Sequence, residues 1–277
     1  MRKAKIGSIL LLLISVIIFV GFKITIKMVQ DTTPPVLSCA SEVLEVSVSV
    51  TEEELLADVS AQDDKSGDVS DQLVIESMSE IAEDGTCTIT YAAVDEKMNV
   101  GRVRRTLRYT DYQKPTFDLS QPLIFPVGSR INVFDSISAH SVMDGSLDEK
   151  IKYALKTDLI TTEVGEYPIE FRVKDSAGSQ VYLTISIEIY DSKYSDLELQ
   201  LSDYLVYLEK GSAFQPTAYF KGAQTAHGAD GNTLSVTADD LQIQSNVDTQ
   251  TEGTYYADYI LNYNGLQGKT RLIVVVE

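Results

Sequence analysis

Tryptophan is absent from this chain of 277 residues, and cysteine and histidine occur twice each. Neither histidine, His140 or His227, has a His, Cys or Glu at metal-ligand spacing beside it, so the usual zinc sites have no foundation here. There is no Gly-x-Ser-x-Gly elbow and no phosphate-cradling glycine loop, which removes the signatures of a serine hydrolase and of a nucleotide-binding enzyme. Basic charge is scarce as well: 23 Lys and Arg stand against 41 Asp and Glu, for a formal net charge of -18. Arg2, Lys3, Lys5, Lys23 and Lys27 all precede Asp31, in a stretch with no acid, so the rest of the chain is more acidic still. Such a body repels phosphate backbones, and nucleic acid is not an expected partner. Carboxylate pairs abound, but acidic turns are the ordinary surface of a chain this charged. No catalytic apparatus is expected.

The longest apolar run is Ile6 to Phe22, IGSILLLLISVIIFVGF, uncharged within and flanked by lysines. At the helical rise it covers about 25 Å, and Lys23 can snorkel while Ile24, Thr25 and Ile26 extend the buried part. The following KITIKMVQDTTPP offers no small-x-small cleavage site, which favours an uncleaved anchor over a removed secretory signal. Residues 1–30 are therefore expected to be a cytoplasmic stub and a single transmembrane helix, with the long acidic body translocated outside. The chain ends on TRLIVVVE without a sorting tail, leaving the N-terminal helix as the expected anchor.

Residues 31 to 277 repeat. Asp31, Asp111 and Asp191 are spaced by 80, as are Gly85 and Gly165, and Asp95 and Asp175. EDGTCTITYAAVDEKMN from Glu83 matches EVGEYPIEFRVKDSAGS from Glu163, and TEGTYYADYILNYNG from Thr251 is a third copy, displaced by a few extra loop residues. A fixed period of this size reports tandem units, here 31–110, 111–190 and a divergent 191–277. Within a unit the dominant period is two: Cys87, Ile89, Tyr91 and Ala93 share one face, as do Tyr167, Ile169, Phe171 and Val173, and Leu183, Ile185, Ile187 and Ile189 follow. The exception is TEEELLADV from Thr51, where a capping threonine ahead of acids predicts one helical turn crossing between sheets. The fold class expected is all-β: three small tandem β-sandwiches after an N-terminal transmembrane helix.

The stretch Glu163, Gly165, Tyr167, Ile169 resembles the Asp-x-Gly-x-Tyr-x-Cys strand of immunoglobulin-like domains, with an aliphatic in place of the cysteine. Tyr255 holds the same place in the third unit, whereas the first has Cys87 there. Together with Asp31-Thr-Thr-Pro-Pro, Asp64-Lys-Ser-Gly-Asp68 and the late Val94-Asp95 or Lys174-Asp175, the pattern resembles bacterial tandem Ig-like domains of the HYR-like and pesticidal-crystal-protein-associated kind. The resemblance implies spacer or adhesive modules, with neither an activity nor a fixed ligand. On that template Cys39, ending the first strand, and Cys87, beginning the sixth, lie at the same end of the sandwich; a disulfide would then close a loop of about 48 residues and constrain the unfolded chain by about 4 kcal/mol. The alternative is two separately placed thiols. The template also gathers Asp63, Asp64, Asp68 and Asp95 at one apex of the first unit, an oxygen-rich setting suited to calcium; the bland alternative is a set of solvated turn residues. The second unit keeps Asp144, Asp148 and Asp175, facing the linker around Asp111.

The third unit is rich in tyrosine: Tyr194, Tyr204, Tyr207, Tyr219, Tyr255, Tyr256, Tyr259 and Tyr263. These rings serve either as strand formers packed in a core or as an open patch for a protein or a glycan. Tyr255 and Tyr256, being adjacent, must point to opposite faces. The functional expectation is a non-enzymatic, membrane-anchored extracellular stalk or adhesion-type protein whose distal Ig-like domain meets an unidentified protein or glycan. An accessory subunit of a membrane or cell-envelope assembly and a carbohydrate-binding module are the alternatives. The absence of any Asn-x-Ser/Thr acceptor agrees with a bacterial surface protein.

Overall fold

The computed structural model describes residues 2–29, 31–82, 84–226 and 232–277, without the side chains of residues 2–10, 24 and 26–29. His227 lies outside the described residues. Residues 2–29 form one helix, α1 (Arg2–Val29). The apolar run starting at Ile6 falls partly on side chains outside the description, and among the described residues no helix is long and apolar enough to cross a membrane.

The body is a set of β-sandwiches built on one plan. In the first, β1 (Val36–Cys39), β2 (Val43–Val46), β3 (Val59–Asp63), β4 (Gly67–Asp68), β5 (Val74–Met78), β6 (Thr86–Val94) and β7 (Val100–Tyr109) form two sheets, β1-β3-β4 and β2-β7-β6-β5. The second repeats this with β8 (Thr116–Leu119), β9 (Ile124–Pro126), β10 (Ile137–Ser141), β11 (Gly145–Ser146), β12 (Lys152–Leu155), β13 (Gly165–Lys174) and β14 (Gln180–Tyr190), in sheets β8-β10-β11 and β9-β14-β13-β12. The third has β15 (Leu197–Leu201), β16 (Leu205–Leu208), β17 (Phe220–Thr225), β18 (Leu241–Ser245), β19 (Gly253–Tyr263) and β20 (Leu266–Val276); its sheets join where Leu197 pairs with Gly268. In every case a short strand runs parallel to the last long one, β2 on β7, β9 on β14 and β16 on β20. This is the immunoglobulin-like sandwich, and the period-two faces are its core: Ile89, Tyr91, Ile169, Phe171, Tyr259 and Leu261 are fully buried.

The same aromatic position anchors each core. Tyr91 and Tyr259 are buried and spend their hydroxyls on backbone carbonyls, Leu55 O at 2.9 Å and Pro216 O at 2.7 Å, while Phe171 fills the place in the second sandwich. Leu55 belongs to α2 (Glu52–Leu56), the crossing turn. Its capping box is complete: the Glu54 amide donates to Thr51 Oγ1 at 3.3 Å, and the Thr51 amide to Glu54 Oε2 at 2.9 Å. The corner tyrosines also close as the pattern implies, Tyr167 Oη donating to Glu163 O at 3.2 Å and Tyr255 Oη to Thr251 O at 2.9 Å.

The expected disulfide is not formed; Cys39 and Cys87 are free thiols. Cys39 ends β1 opposite Val59, beside Arg105 and Tyr91, whereas Cys87 faces Leu107 in β6 and neighbours Tyr109. The two sulfurs thus belong to opposite sheets and lie among different side chains. Burial pushes both thiols up from their ordinary range, which leaves them little thiolate and little reactivity at neutral pH.

Gly101 is required by close packing rather than by backbone angle. A Cβ on Gly101 in β7 would stand 1.9 Å from the Pro35 carbonyl oxygen and 2.7 Å from Leu37 Cδ1. Gly101→Ala should therefore push the first strand off the sandwich and cost about 3 kcal/mol, measured as a lower denaturant midpoint for the first domain by circular dichroism.

Candidate functional site

The chain divides into two compact units, Met1–Asp111 and Tyr112–Glu277. In the first, three loops converge. Asp31 precedes β1, Asp63 ends β3 and Asp95 follows β6; all are buried, at 7%, 8% and 4% exposure, and one oxygen of each lies within 4.8 Å of the others. Asp31 and Asp63 are each held through one oxygen, and Asp95 through both. Asp63 Oδ1 accepts the amides of Lys65 and Ser66 at 3.0 and 2.7 Å. Asp95 Oδ1 accepts those of Lys97 and Asn99 at 2.7 and 2.8 Å, and its Oδ2 takes Asn99 Nδ2 at 2.7 Å. Asp31 Oδ1 accepts from Thr33 and, at 3.3 Å, from Lys65 Nζ. The Thr33 hydroxyl and amide hold the Asp31 carboxyl below the usual carboxylate range. For Asp95, burial works upward, but the bonds from Asn99 and Lys97 win and the net shift is downward.

The set expected from sequence is thus revised. Asp63 and Asp95 do meet, and Asp64 sits beside them, its Oδ1 accepting from Thr33 Oγ1 at 2.6 Å. Asp68 turns away to cap the next loop, accepting the Ser70 amide and hydroxyl at 3.0 and 2.6 Å. Asp31, flagged by the 80-residue spacing but not as a site residue, completes the cluster. In the second sandwich the corresponding residues do not assemble one. Asp111 accepts from Ser47 Oγ and the Val48 amide at 2.7 and 2.8 Å. Asp144 pairs with Lys150 at 2.9 Å and takes the Ser176 amide, and Asp148 takes the Ala139 amide. Asp175 is left with the Ser179 amide at 2.9 Å and the Tyr112 hydroxyl at 3.4 Å.

The second unit carries a different feature, the seam between its two sandwiches. β20 is buried on both faces. Leu272, Val274 and Val276 point into the third core, while Ile273 and Val275, with Leu205, Tyr204, Tyr207 and Tyr256, pack on the core of the second sandwich. Two phenols finish backbone groups of the neighbour: the Phe117 amide donates to Tyr207 Oη at 3.1 Å, and the Ser186 amide to Tyr256 Oη at 2.9 Å. Ser186 lies beyond the end of β9, which pairs only with Glu188–Tyr190, so Tyr256 takes an amide that no strand covers. Burial pushes the Tyr207 phenol up to about 12. None of the third sandwich's eight tyrosines is exposed. The packing alternative holds, and part of that packing is onto the neighbouring sandwich.

At the seam's centre Arg271 is 7% exposed along its side chain. It forks onto Asp258, Nε to Oδ1 at 2.6 Å and Nη2 to Oδ2 at 3.0 Å, and Nη1 reaches Glu166 Oε1 at 2.8 Å. Its Nη2 also stands 2.9 Å from Glu188 Oε2, as an ion pair without hydrogen-bond alignment. Lys269 contacts Glu188 and lies 3.1 Å from Asp258 Oδ2, and the Arg271 guanidinium sits 4.7 Å from the Tyr256 ring centre. Burial alone would strip protons from Arg271, but the Asp258, Glu188 and Glu166 carboxylates reverse this and raise its pKa. Burial raises Asp258 in turn, yet Arg271 and Lys269 hold it below the usual range. An open hollow of about 640 Å³ borders the seam, lined in part by Tyr190, Tyr204, Gln200, Glu198 and Lys269.

No protein-family model matches this sequence. An "Uncharacterized 81.3 kDa protein" of Acholeplasma phage L2 is 30% identical over 114 residues, covering 39% of this chain and 15% of that protein, so the chain spans a small fraction of that relative's length. Among solved structures, the Clostridium perfringens ZmpB M60 catalytic domain with its CBM51-1 and CBM51-2 domains is 10% identical, with 89% of this chain and 31% of that one covered and a TM-score of 0.23. Drosophila N-cadherin EC1-4 is 12% identical, with 88% and 75% covered and a TM-score of 0.22. The strand order itself defines the sandwiches.

Arg271→Met should destabilise the second unit by about 3–5 kcal/mol, because it leaves Asp258 and Glu188 buried beside one lysine; Glu166→Gln, at the half-exposed rim, should cost under about 1 kcal/mol. Chemical denaturation reads both. Asp258 has a depressed folded pKa, so its contribution is fully present above the unfolded value of about 3.9 and drains as pH falls through the lower folded value. Between pH 7 and 5 wild-type stability should show no loss from this group, and the acid limb should flatten in Asp258→Asn.

Proposed function

We propose that this is a non-enzymatic, membrane-anchored surface protein whose last two sandwiches act as one presenting body. The observation that carries the reading is the seam. Tyr207, Tyr256, Arg271 and Lys269 of the third sandwich are engaged with Phe117, Ser186, Glu166 and Glu188 of the second. A joint sealed by directional bonds over an apolar contact resists bending, as a presenting or adhesive stalk requires. The apolar run from Ile6 to Phe22, flanked by lysines and carried on α1, supports insertion with the acidic body outside. The HYR-like resemblance of the first domain belongs to the same reading, as does the absence of nucleic acid among its partners.

A second reading is favoured by the hollow beside the seam. Tyr190, Tyr204, Gln200, Glu198 and Lys269 offer a mixture of ring and polar edges suited to a sugar. A glycan array probed with the full chain in detergent separates the two, since a flat array removes the carbohydrate reading.

For the anchor reading, the full chain expressed in bacteria should stay in the membrane pellet through high-salt and carbonate washes and leave it in detergent. Protease added to spheroplasts should degrade the region after Asp31. Scrambling the order within Ile6 to Phe22 should change neither result if the helix is a plain anchor. A protein found in the soluble fraction, or shielded from external protease, contradicts the reading.

A further inference from the structure

We infer that Asp31, Asp63 and Asp95 form a calcium-binding site in the first sandwich. Two oxygens in the cluster lack partners. Asp31 Oδ2 and Asp63 Oδ2 are buried and have no hydrogen-bond partner, although each belongs to a carboxylate whose other oxygen is bonded. A desolvated carboxylate oxygen without a partner is costly, and two of them facing one acidic cluster cost more. The exposed Lys65 ammonium reaches only Asp31 Oδ1 and leaves both oxygens bare.

A divalent cation removes the difficulty. One oxygen from each of the three residues lies within 4.8 Å of the others, the span across a single calcium ion at its usual oxygen distances of about 2.3–2.6 Å. Magnesium demands contacts of about 2.0–2.1 Å in a strict octahedron, a tighter arrangement than three loops pinned by their own amides provide. Asp64, exposed and tied to the cluster through Thr33, lies outside the three-oxygen group, and water would complete the coordination. The donor set is wholly carboxylate, so a hard cation is the chemical class expected.

The second sandwich supplies an internal control. Its strands follow the same order, yet Ser141 occupies the position of Asp63 and Ser179 that of Asn99. The Tyr112 hydroxyl contacts both Asp175 and Ser179, and the place holds no group of three carboxylates among the described residues. The sandwich therefore closes with one buried acid at this apex, Asp175, and without the other two. Their presence in the first domain needs a reason other than the fold, and a bound cation is that reason.

The test uses the full chain in detergent, stripped with EDTA and titrated calorimetrically with calcium chloride and, separately, magnesium chloride. One calcium per chain is expected, with Kd between about 10⁻⁵ and 10⁻³ M and magnesium at least tenfold weaker. Asp63→Asn and Asp31→Asn should each weaken calcium at least tenfold, while Asp68→Asn and Asp144→Asn should bind as wild type. A readout that needs no variant is the thermal transition of the first domain, which should rise by about 10 °C or more at a hundredfold excess over Kd relative to EDTA. No binding at about 10 mM calcium, no thermal shift, or unchanged affinity in Asp63→Asn each overturns the proposal. None of these outcomes depends on where the protein resides.

Discussion

The second unit depends on a strand with no solvent face. β20 gives Leu272, Val274 and Val276 to its own core and Arg271, Ile273 and Val275 to the neighbouring sandwich. Apolar contact across Leu205, Ile273 and Val275 supplies adhesion without direction. Direction comes from Arg271, whose fork fits Asp258 while a remaining nitrogen reaches Glu166, and from two phenols that accept particular amides. A slip of the third sandwich by one residue pair would strand Arg271 among carbons and leave Glu188 and Asp258 buried without their cations. That penalty, more than the attraction, fixes the pairing.

Most of the sandwich plan was legible in the sequence because it rests on local rules. Alternation on β6 and β13 gave their core faces, Thr51 and Glu54 marked the crossing turn, and Tyr167 and Tyr255 announced their corners. The seam was not read, although β20 carried its signal: LIVVV is continuously apolar where a half-exposed strand should alternate. Tyr256, required to point away from Tyr255, was the second clue. What sequence could not supply is the surface that these outward residues meet, since Glu166, Glu188 and Ser186 read as ordinary solvent-facing positions of their own strands.

The acidic apex shows the same division. Spacing marked Asp31 and Asp95 within the repeat and the resemblance pointed to Asp63, but loop direction decided which acids converge. Asp68 is as acidic as its neighbours and only five residues beyond Asp63, yet it closes its own turn on Ser70. The cysteines failed as a pair for a related reason: a template places strand ends near one another without saying which way each sulfur turns, and Cys39 and Cys87 turn toward different neighbours.

The two C-terminal sandwiches form one compact body joined through the seam. Native-state hydrogen exchange of the full chain tests it at two amides, those of Phe117 and Ser186, which donate to Tyr207 and Tyr256 across the joint. Both should exchange only through the unfolding that also releases the core amides of β19 and β20, at the same free energy and with the same denaturant dependence. Exchange of both at the low free energy of an exposed loop would mean that the joint opens while the sandwiches stay folded, and would contradict it.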